Sequence, residues 1–138
     1  MNLYNQLLER EKNRNPIRVC LIGAGKFGTM YLSQASRTPG ITISTIVDLN
    51  PSQAKQACIR SGIGETDITD NTISAISSEN VDLVIDATGS PEAGISNALA
   101  CCEHGKDIIM VNVEADALAG PLLAEKARES NIVYSLAY

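Results

Sequence analysis

Residues 17–28, IRVCLIGAGKFG, decide how the rest of the chain is read: an apolar run stops abruptly at three glycines spaced G-x-G-x-x-G. The run is short, continuous and rich in branched aliphatic side chains, which marks a strand buried on both faces rather than one alternating between core and solvent. A strand followed at once by this spacing is either a tight turn into a helix or the floor of a nucleotide site. The glycines alone do not separate the two.

Outward from this stretch the chain alternates. Runs rich in Val and Ile at 17–22, 41–47, 81–86, 107–113 and 132–136 are each separated by enough sequence for a helix. That is the pattern of β-α-β crossovers in a parallel sheet. The helices carry their own start and stop signals. One over 26–36 follows the glycines and ends before Thr38-Pro39-Gly40, Asn50-Pro51 opens another that stops at Ser61-Gly62, and Ser90-Pro91-Glu92 opens a third that stops at His104-Gly105. A further helix is predicted over about 120–130, with Pro121 in its first turn and Leu122, Leu123 and Ala127 facing the sheet. Residues 62–70 are the least regular part, read as a loop with a short third strand near Thr66 to Thr69 and then a helix over 71–79. Ahead of everything, residues 2–12 read as a polar helix with Leu3, Leu7 and Leu8 on one side, ended by Pro16. Six strands with intervening helices make a doubly wound parallel α/β sheet of the Rossmann type, expected in the order 3-2-1-4-5-6.

That setting gives each glycine a distinct task. Gly23 permits the tight turn, Gly25 lets backbone N–H groups approach a pyrophosphate, and Gly28 lets the helix lie against the strand. The phosphates would sit on the positive end of the helix that begins near Lys26, with Ala24, Lys26 and Phe27 as further candidate cofactor contacts. A dinucleotide site also needs a carboxylate at the end of strand two, about 20 residues on. Asp48 is placed there, 48 − 28 = 20 positions past Gly28. It would accept from the adenosine ribose hydroxyls and repel a 2′-phosphate, and no Arg follows at Leu49 or Asn50, so the cofactor is NAD or NADP with a lean toward NAD. The alternative for Asp48 is a capping or solvated residue at a strand end.

Strand four ends in Asp86-Ala87-Thr88-Gly89-Ser90, where Thr88 and Gly89 are small enough to admit the nicotinamide-side ribose; a plain loop and helix cap reads equally well. Strand five ends in Asn112-Val113-Glu114. Asn112 is a candidate cofactor contact, weighed against helix-start chemistry, which Glu114 would serve unaided. His104, at a helix C-terminus, reads as a cation near the negative end of the dipole. No catalytic acid or base is identified.

Composition narrows the partners. Net charge is −5 and no basic cluster stands out, so a nucleic-acid surface is not expected. No apolar run reaches the roughly 18 residues of a membrane span, and the charged N-terminus MNLYNQLLEREKNRNP lacks a secretory apolar core, so a cytoplasmic protein is expected. Cys20, Cys58, Cys101 and Cys102 have neither C-x-x-C spacing nor a disulfide framework, and are read as reduced buried residues with no metal bound. The division is then a helical lead-in over 1–16 and a dinucleotide-binding domain over 17–138. Because the last strand ends essentially at Tyr138, a C-terminal catalytic domain is expected to be absent, leaving a chain that binds cofactor without turning over. Such a truncated domain would expose an apolar face, and a homo-oligomer is one expectation.

The stretches PIRVCLIGAGKFGTMY, VDLNP, VDLVIDATGSPEAG and IIMVNVEADALAGPLL together resemble the N-terminal domain of homoserine dehydrogenase-like oxidoreductases. The subgroup carrying a SAF domain, which includes deoxyxylulose-phosphate reductoisomerase-like enzymes, is the nearest in appearance, and the chain is also similar to the glucose-fructose oxidoreductase and inositol dehydrogenase superfamily. The resemblance covers nearly the whole chain. It implies an NAD(P)-dependent oxidoreductase moving hydride to or from a small hydroxy or carbonyl substrate, with a following domain supplying the substrate and catalytic groups. Gly23, Gly25, Gly28 and Asp48 match the family's cofactor motif. The Lys that typical members carry just after strand five is replaced by the run Asn112-Val113-Glu114-Ala115-Asp116, so homoserine itself is not implied. A stand-alone NAD(H)-sensing or regulatory module is the alternative function.

Overall fold

The computed structural model describes residues 2–137. Six strands, β1 (Ile17–Ile22), β2 (Ile41–Val47), β3 (Asp67–Thr69), β4 (Leu83–Asp86), β5 (Asp107–Met110) and β6 (Tyr134–Leu136), form one sheet in the order β3-β2-β1-β4-β5-β6. Every pairing is parallel. Six helices connect or precede them: α1 (Leu3–Lys12), α2 (Lys26–Ala35), α3 (Pro51–Ser61), α4 (Thr72–Ser77), α5 (Pro91–His104) and α6 (Val113–Glu129). The expected architecture and strand order are therefore present.

Side-chain alternation along β1 divides the core into two. Val19 and Leu21 pack with Leu32 and Ala35 of α2 and Ala54, Ala57 and Cys58 of α3 on one face. Cys20 and Ile22 pack with residues of α4, α5 and α6 on the other, among them Ile76, Ala98, Cys101 and Leu123. Burying a side chain the size of Leu21 or Leu32 contributes about 1.5–3 kcal/mol, and the central strands do so on both faces at once. The register of β1 and β2 slips between Val19 and Cys20, whose partners are Ile43 and Thr45. Ser44 is thus the extra residue of a bulge.

Boundaries differ from expectation at the second half of the sheet. β4 begins at Leu83 rather than 81: the Asp82 N–H still donates to the Arg18 carbonyl at 2.8 Å, but the Arg18 N–H turns to Asp82 Oδ2 at 2.9 Å, and Arg18 Nε and Nη2 fork onto the same carboxylate at 3.0 and 2.9 Å. β5 ends at Met110 and β6 starts at Tyr134. The helix expected over 120–130 starts at Val113, capped by Asn112, whose Oδ1 accepts from the Ala115 N–H at 3.1 Å. Glu114 and Asp116 in its first turn suit the positive end of the dipole. Pro121 consequently lies inside the helix, where it removes one hydrogen bond to the carbonyl of Ala117. Both residues are exposed, so the freed carbonyl lies on the solvent side of the helix, where the loss is tolerated. Leu123 and Ala127 face the core as expected, whereas Leu122 is 58% exposed and points to solvent.

The lead-in helix α1 buries none of its residues and is held at its end instead. Glu11 Oε2 accepts from the Gly40 N–H at 2.8 Å. A Cβ on Gly40, whose φ is +76°, would run into the Leu7 carbonyl. Of the expected apolar side of α1, Leu3 and Leu8 are exposed, while Leu7 is half-buried against Gly40. Tyr138, the expected end of the last strand, lies outside the described residues.

Candidate dinucleotide site

The glycines after β1 divide by what requires them. Gly23 has φ +97°, and a Cβ there would lie 2.9 Å from the Ala87 carbonyl oxygen. At Gly28 a Cβ would overlap the Gly23 carbonyl oxygen, so α2 lies this close to β1 only without a side chain. Folding accounts for both. Gly25 is different: its φ is −77°, which any residue adopts, and a Cβ would meet nothing within 4 Å. Nothing inside the protein explains a glycine there; the open space beside it does.

Gly25 is also the N-cap of α2, and it offers no side-chain bond to the first turn. Every other helix described has one, from Asn2, Asn50, Asn71, Ser90 and Asn112. The first N–H groups of α2 are therefore left without intramolecular partners, at the positive end of the helix dipole. This is the arrangement that receives phosphate oxygens.

Asp48 stands across from the turn, just past β2. Its Oδ2 accepts from the Ala24 N–H and its Oδ1 from the Asn50 N–H, both at 2.8 Å. The carboxylate thus ties the crest of the glycine turn to the start of α3 while keeping unshared lone pairs for hydroxyl donors. Gln53, which sequence reading did not single out, donates from Nε2 to the Ala24 carbonyl at 3.3 Å and steadies the same turn from the other side. A signal for it existed in the Asn50-x-x-Gln53 capping-box spacing, but its side chain reaches to the turn and not back to Asn50.

A cleft of about 380 Å³ joins these groups. Gly23, Gly25, Asp48 and Gln53 line one half, and Ala87, Thr88, Gly89, Ser90 and Asn97 the other. Five of the expected site residues, Gly23, Gly25, Asp48, Thr88 and Gly89, are thereby brought to one surface at the carboxyl ends of the strands. Gly28 and Ala24 lie behind it, buried, with the Ala24 N–H directed to Asp48. Lys26 lies on a neighbouring shallow hollow with Thr29, Gln56 and Arg60. Phe27 is half-buried in the first turn of α2 and is not on the cleft wall. Asn112 is only 2% exposed. Its Nδ2 donates to Thr88 Oγ1 at 3.2 Å and to the Ser90 carbonyl at 2.6 Å, so it braces the wall from behind. His104 is the last residue of α5, well placed for the dipole.

The cysteines are all free, and the buried ones are poor nucleophiles. Burial pushes the Cys20 thiol up to about 12 and raises Cys101 and Cys58 as well.

Residues 3–136 match the family described as homoserine dehydrogenase, NAD binding domain. The chain belongs to this family. As an NAD-binding domain of that kind, it is 28% identical over 120 residues to 4-carboxy-2-hydroxymuconate-6-semialdehyde dehydrogenase of Sphingobium sp., a match covering 85% of the chain and 36% of the relative. Its fold superposes on myo-inositol dehydrogenase of Lactobacillus casei, solved with NAD(H) and myo-inositol, with a TM-score of 0.77 at 17% identity, covering 88% of this chain and 36% of that one. Biliverdin reductase of Synechocystis sp., solved with biliverdin and NADP+, gives 0.69 at 17% identity, covering 88% and 37%. The domain thus spans about a third of the length of these proteins. No helix among the described residues is long and apolar enough to cross a membrane.

Proposed function

We propose that the chain binds a nicotinamide dinucleotide along this cleft, NAD in preference to NADP, as the cofactor-holding part of a cytoplasmic oxidoreductase acting on a small hydroxy or carbonyl substrate. The observation that carries the reading is Gly25, a glycine the fold does not need, set at an uncapped helix end. The N–H groups of Gly25, Lys26 and Phe27 receive the pyrophosphate, Gly23 and Gly28 shape the turn beneath it, and Ala24 links the turn to Asp48. Asp48 accepts from the adenosine ribose hydroxyls, and a 2′-phosphate there would bring like charges together, disfavouring NADP. Thr88 and Gly89 wall the nicotinamide half, with Asn112 holding their loop in place.

Bound there, the nicotinamide supplies hydride exchange at its C4. The chain's own part is to bind and orient; the substrate and its acid–base group are taken to meet the ring through the portion that makes up the other two-thirds of the relatives' length. Calorimetric titration of the chain with NADH and NADPH tests the reading. Saturable binding is expected, tighter for NADH by about tenfold, the weight of one uncompensated charge contact in partly exposed surroundings. No saturable binding of either would end the reading, and tighter binding of NADPH would remove Asp48 from the role given to it.

A further inference from the structure

Asp86 is the last residue of β4 and is 0% exposed. Its Oδ1 accepts from the Thr88 N–H at 2.9 Å and from the Thr88 hydroxyl at 2.8 Å, and its Oδ2 accepts from Asn97 Nδ2 at 2.8 Å. Thr88 Oγ1 in turn accepts from Asn112 Nδ2 at 3.2 Å, which commits its own hydrogen to Asp86. Each partner gives a hydrogen and none takes one, a donor set that suits the carboxylate and not the carboxylic acid. No cation answers the charge. The ion pairs among the described residues are Arg18–Asp82 and Arg128–Glu125. The Lys106 ammonium is spent on the Ser78 and Val81 carbonyls at the other end of the sheet, since Asp107 begins β5 while Asp86 pairs with Met110 at its close.

This buried anion lies directly behind the cleft wall, because both residues that bond it, Thr88 and Asn97, line the cleft. With the adenosine ribose on Asp48 and the pyrophosphate at Gly25, the nicotinamide end is left for the Thr88–Asn97 wall. We propose that Asp86 makes the cleft select the oxidised, cationic nicotinamide dinucleotide over the reduced, neutral form, an inference that rests on the proposed nucleotide reading. The two forms differ at that end by one positive charge, and only the oxidised ring gains from an uncompensated anion nearby. The positive end of α5, which starts at Pro91 on the same side, opposes the effect with about half a charge that fades within a turn. The whole, desolvated charge of Asp86 outweighs it.

The test measures dissociation constants of the chain for NAD+, NADH and ADP-ribose, which lacks the nicotinamide ring, beside those of Asp86→Asn. The preference for NAD+ over NADH should fall about tenfold in the variant, with ADP-ribose affinity held within about twofold. If all three ligands weaken together and the NAD+ to NADH ratio stays fixed, Asp86 only supports the loop and the proposal is overturned. Should Asp86→Asn fail to fold by circular dichroism, the unaltered chain decides: NAD+ must bind more tightly than ADP-ribose and NADH must not, and equal affinity for the two redox forms overturns the proposal. Failure of ADP-ribose itself to bind would instead refute the nucleotide site and take this inference with it.

Discussion

Replacing Gly25 with alanine separates a residue kept for folding from one kept for a ligand. In the free protein the added methyl meets nothing within 4 Å, and φ −77° suits alanine. Two small effects on stability then oppose each other. Alanine narrows the unfolded ensemble, worth about 0.4–1 kcal/mol in favour, and is a poorer N-cap than glycine by a similar amount. The melting temperature should therefore stay within about 4 °C of the unaltered chain, the shift that about 1 kcal/mol produces in a domain of this size. Binding should behave otherwise. The methyl stands where phosphate oxygens approach the first N–H groups of α2, and losing one charge-assisted hydrogen bond costs about 1.5–3 kcal/mol. That predicts a rise in the NADH dissociation constant of about ten- to a hundredfold. Gly28→Ala is the control with the opposite signature, since its Cβ would strike the Gly23 carbonyl and force α2 off β1, at about 1–3 kcal/mol of stability or more. Calorimetry and thermal melts by circular dichroism on both variants give the result. Gly25→Ala binding NADH as tightly as the parent would refute the reasoning, as would a loss of affinity no greater than its loss of stability explains.

Three further outcomes follow from the geometry. The Arg18 guanidinium, through its forked hydrogen bonds, holds the Asp82 carboxyl below the usual aspartate range. A folded value below the unfolded one gives a contribution that is complete above the ordinary aspartate range, shrinks as pH falls beneath it and is gone once pH passes the folded value. Asp82→Asn should flatten the acid limb of a plot of melting temperature against pH, and an unchanged limb would show the pair to be inert. At Gly94 a Cβ would sit 2.7 Å from Ala115 Cβ and 2.8 Å from Asn112 Nδ2, so Gly94→Ala should separate α5 from α6 and cost about 1–3 kcal/mol in urea denaturation. With Cys20, Cys58 and Cys101 buried and their thiols raised, native-state alkylation at pH 8 should reach Cys102 first. Rapid labelling of Cys20 would contradict its place in the core.

The parts of the fold that were legible in the sequence are those written in local patterns. Continuous aliphatic runs mark the central strands because both faces of β1 are buried, and Asn50, Ser90, Gly62 and Gly105 mark helix ends through bonds to near neighbours. The second half of the sheet was less legible because two local rules competed there. Pro121 suits a first helical turn, yet the cap at Asn112 and the acids at 114 and 116 set the start, and an exposed carbonyl made the internal proline tolerable. Val111 extends the apolar run of β5 and its N–H still donates to the Asp86 carbonyl at 2.9 Å, but the strand itself closes at Met110. In the candidate site, Asp48 was legible from its distance to the glycines. Its bond to the Ala24 N–H was not, since that contact exists only once β1 and β2 lie side by side.

The same distinction governs the two acids of the cleft. Asp48 lies half-buried just past a strand end, on the wall of the cleft, where a spacing rule finds it. Asp86 sits at the equivalent end of β4 but turns inward, and its partners Thr88 and Asn97 come from the following loop and the second turn of α5. A carboxylate removed from water without a cation is costly unless several donors surround it, and here three hydrogen bonds from two residues do so. Those two residues are themselves wall residues of the cleft, so the network that keeps Asp86 buried also fixes the surface a ligand meets. One acid therefore acts on the ligand through its oxygens and the other through its charge, and exchanging Asp86 for asparagine alters the second effect while leaving the Asp48 contacts untouched.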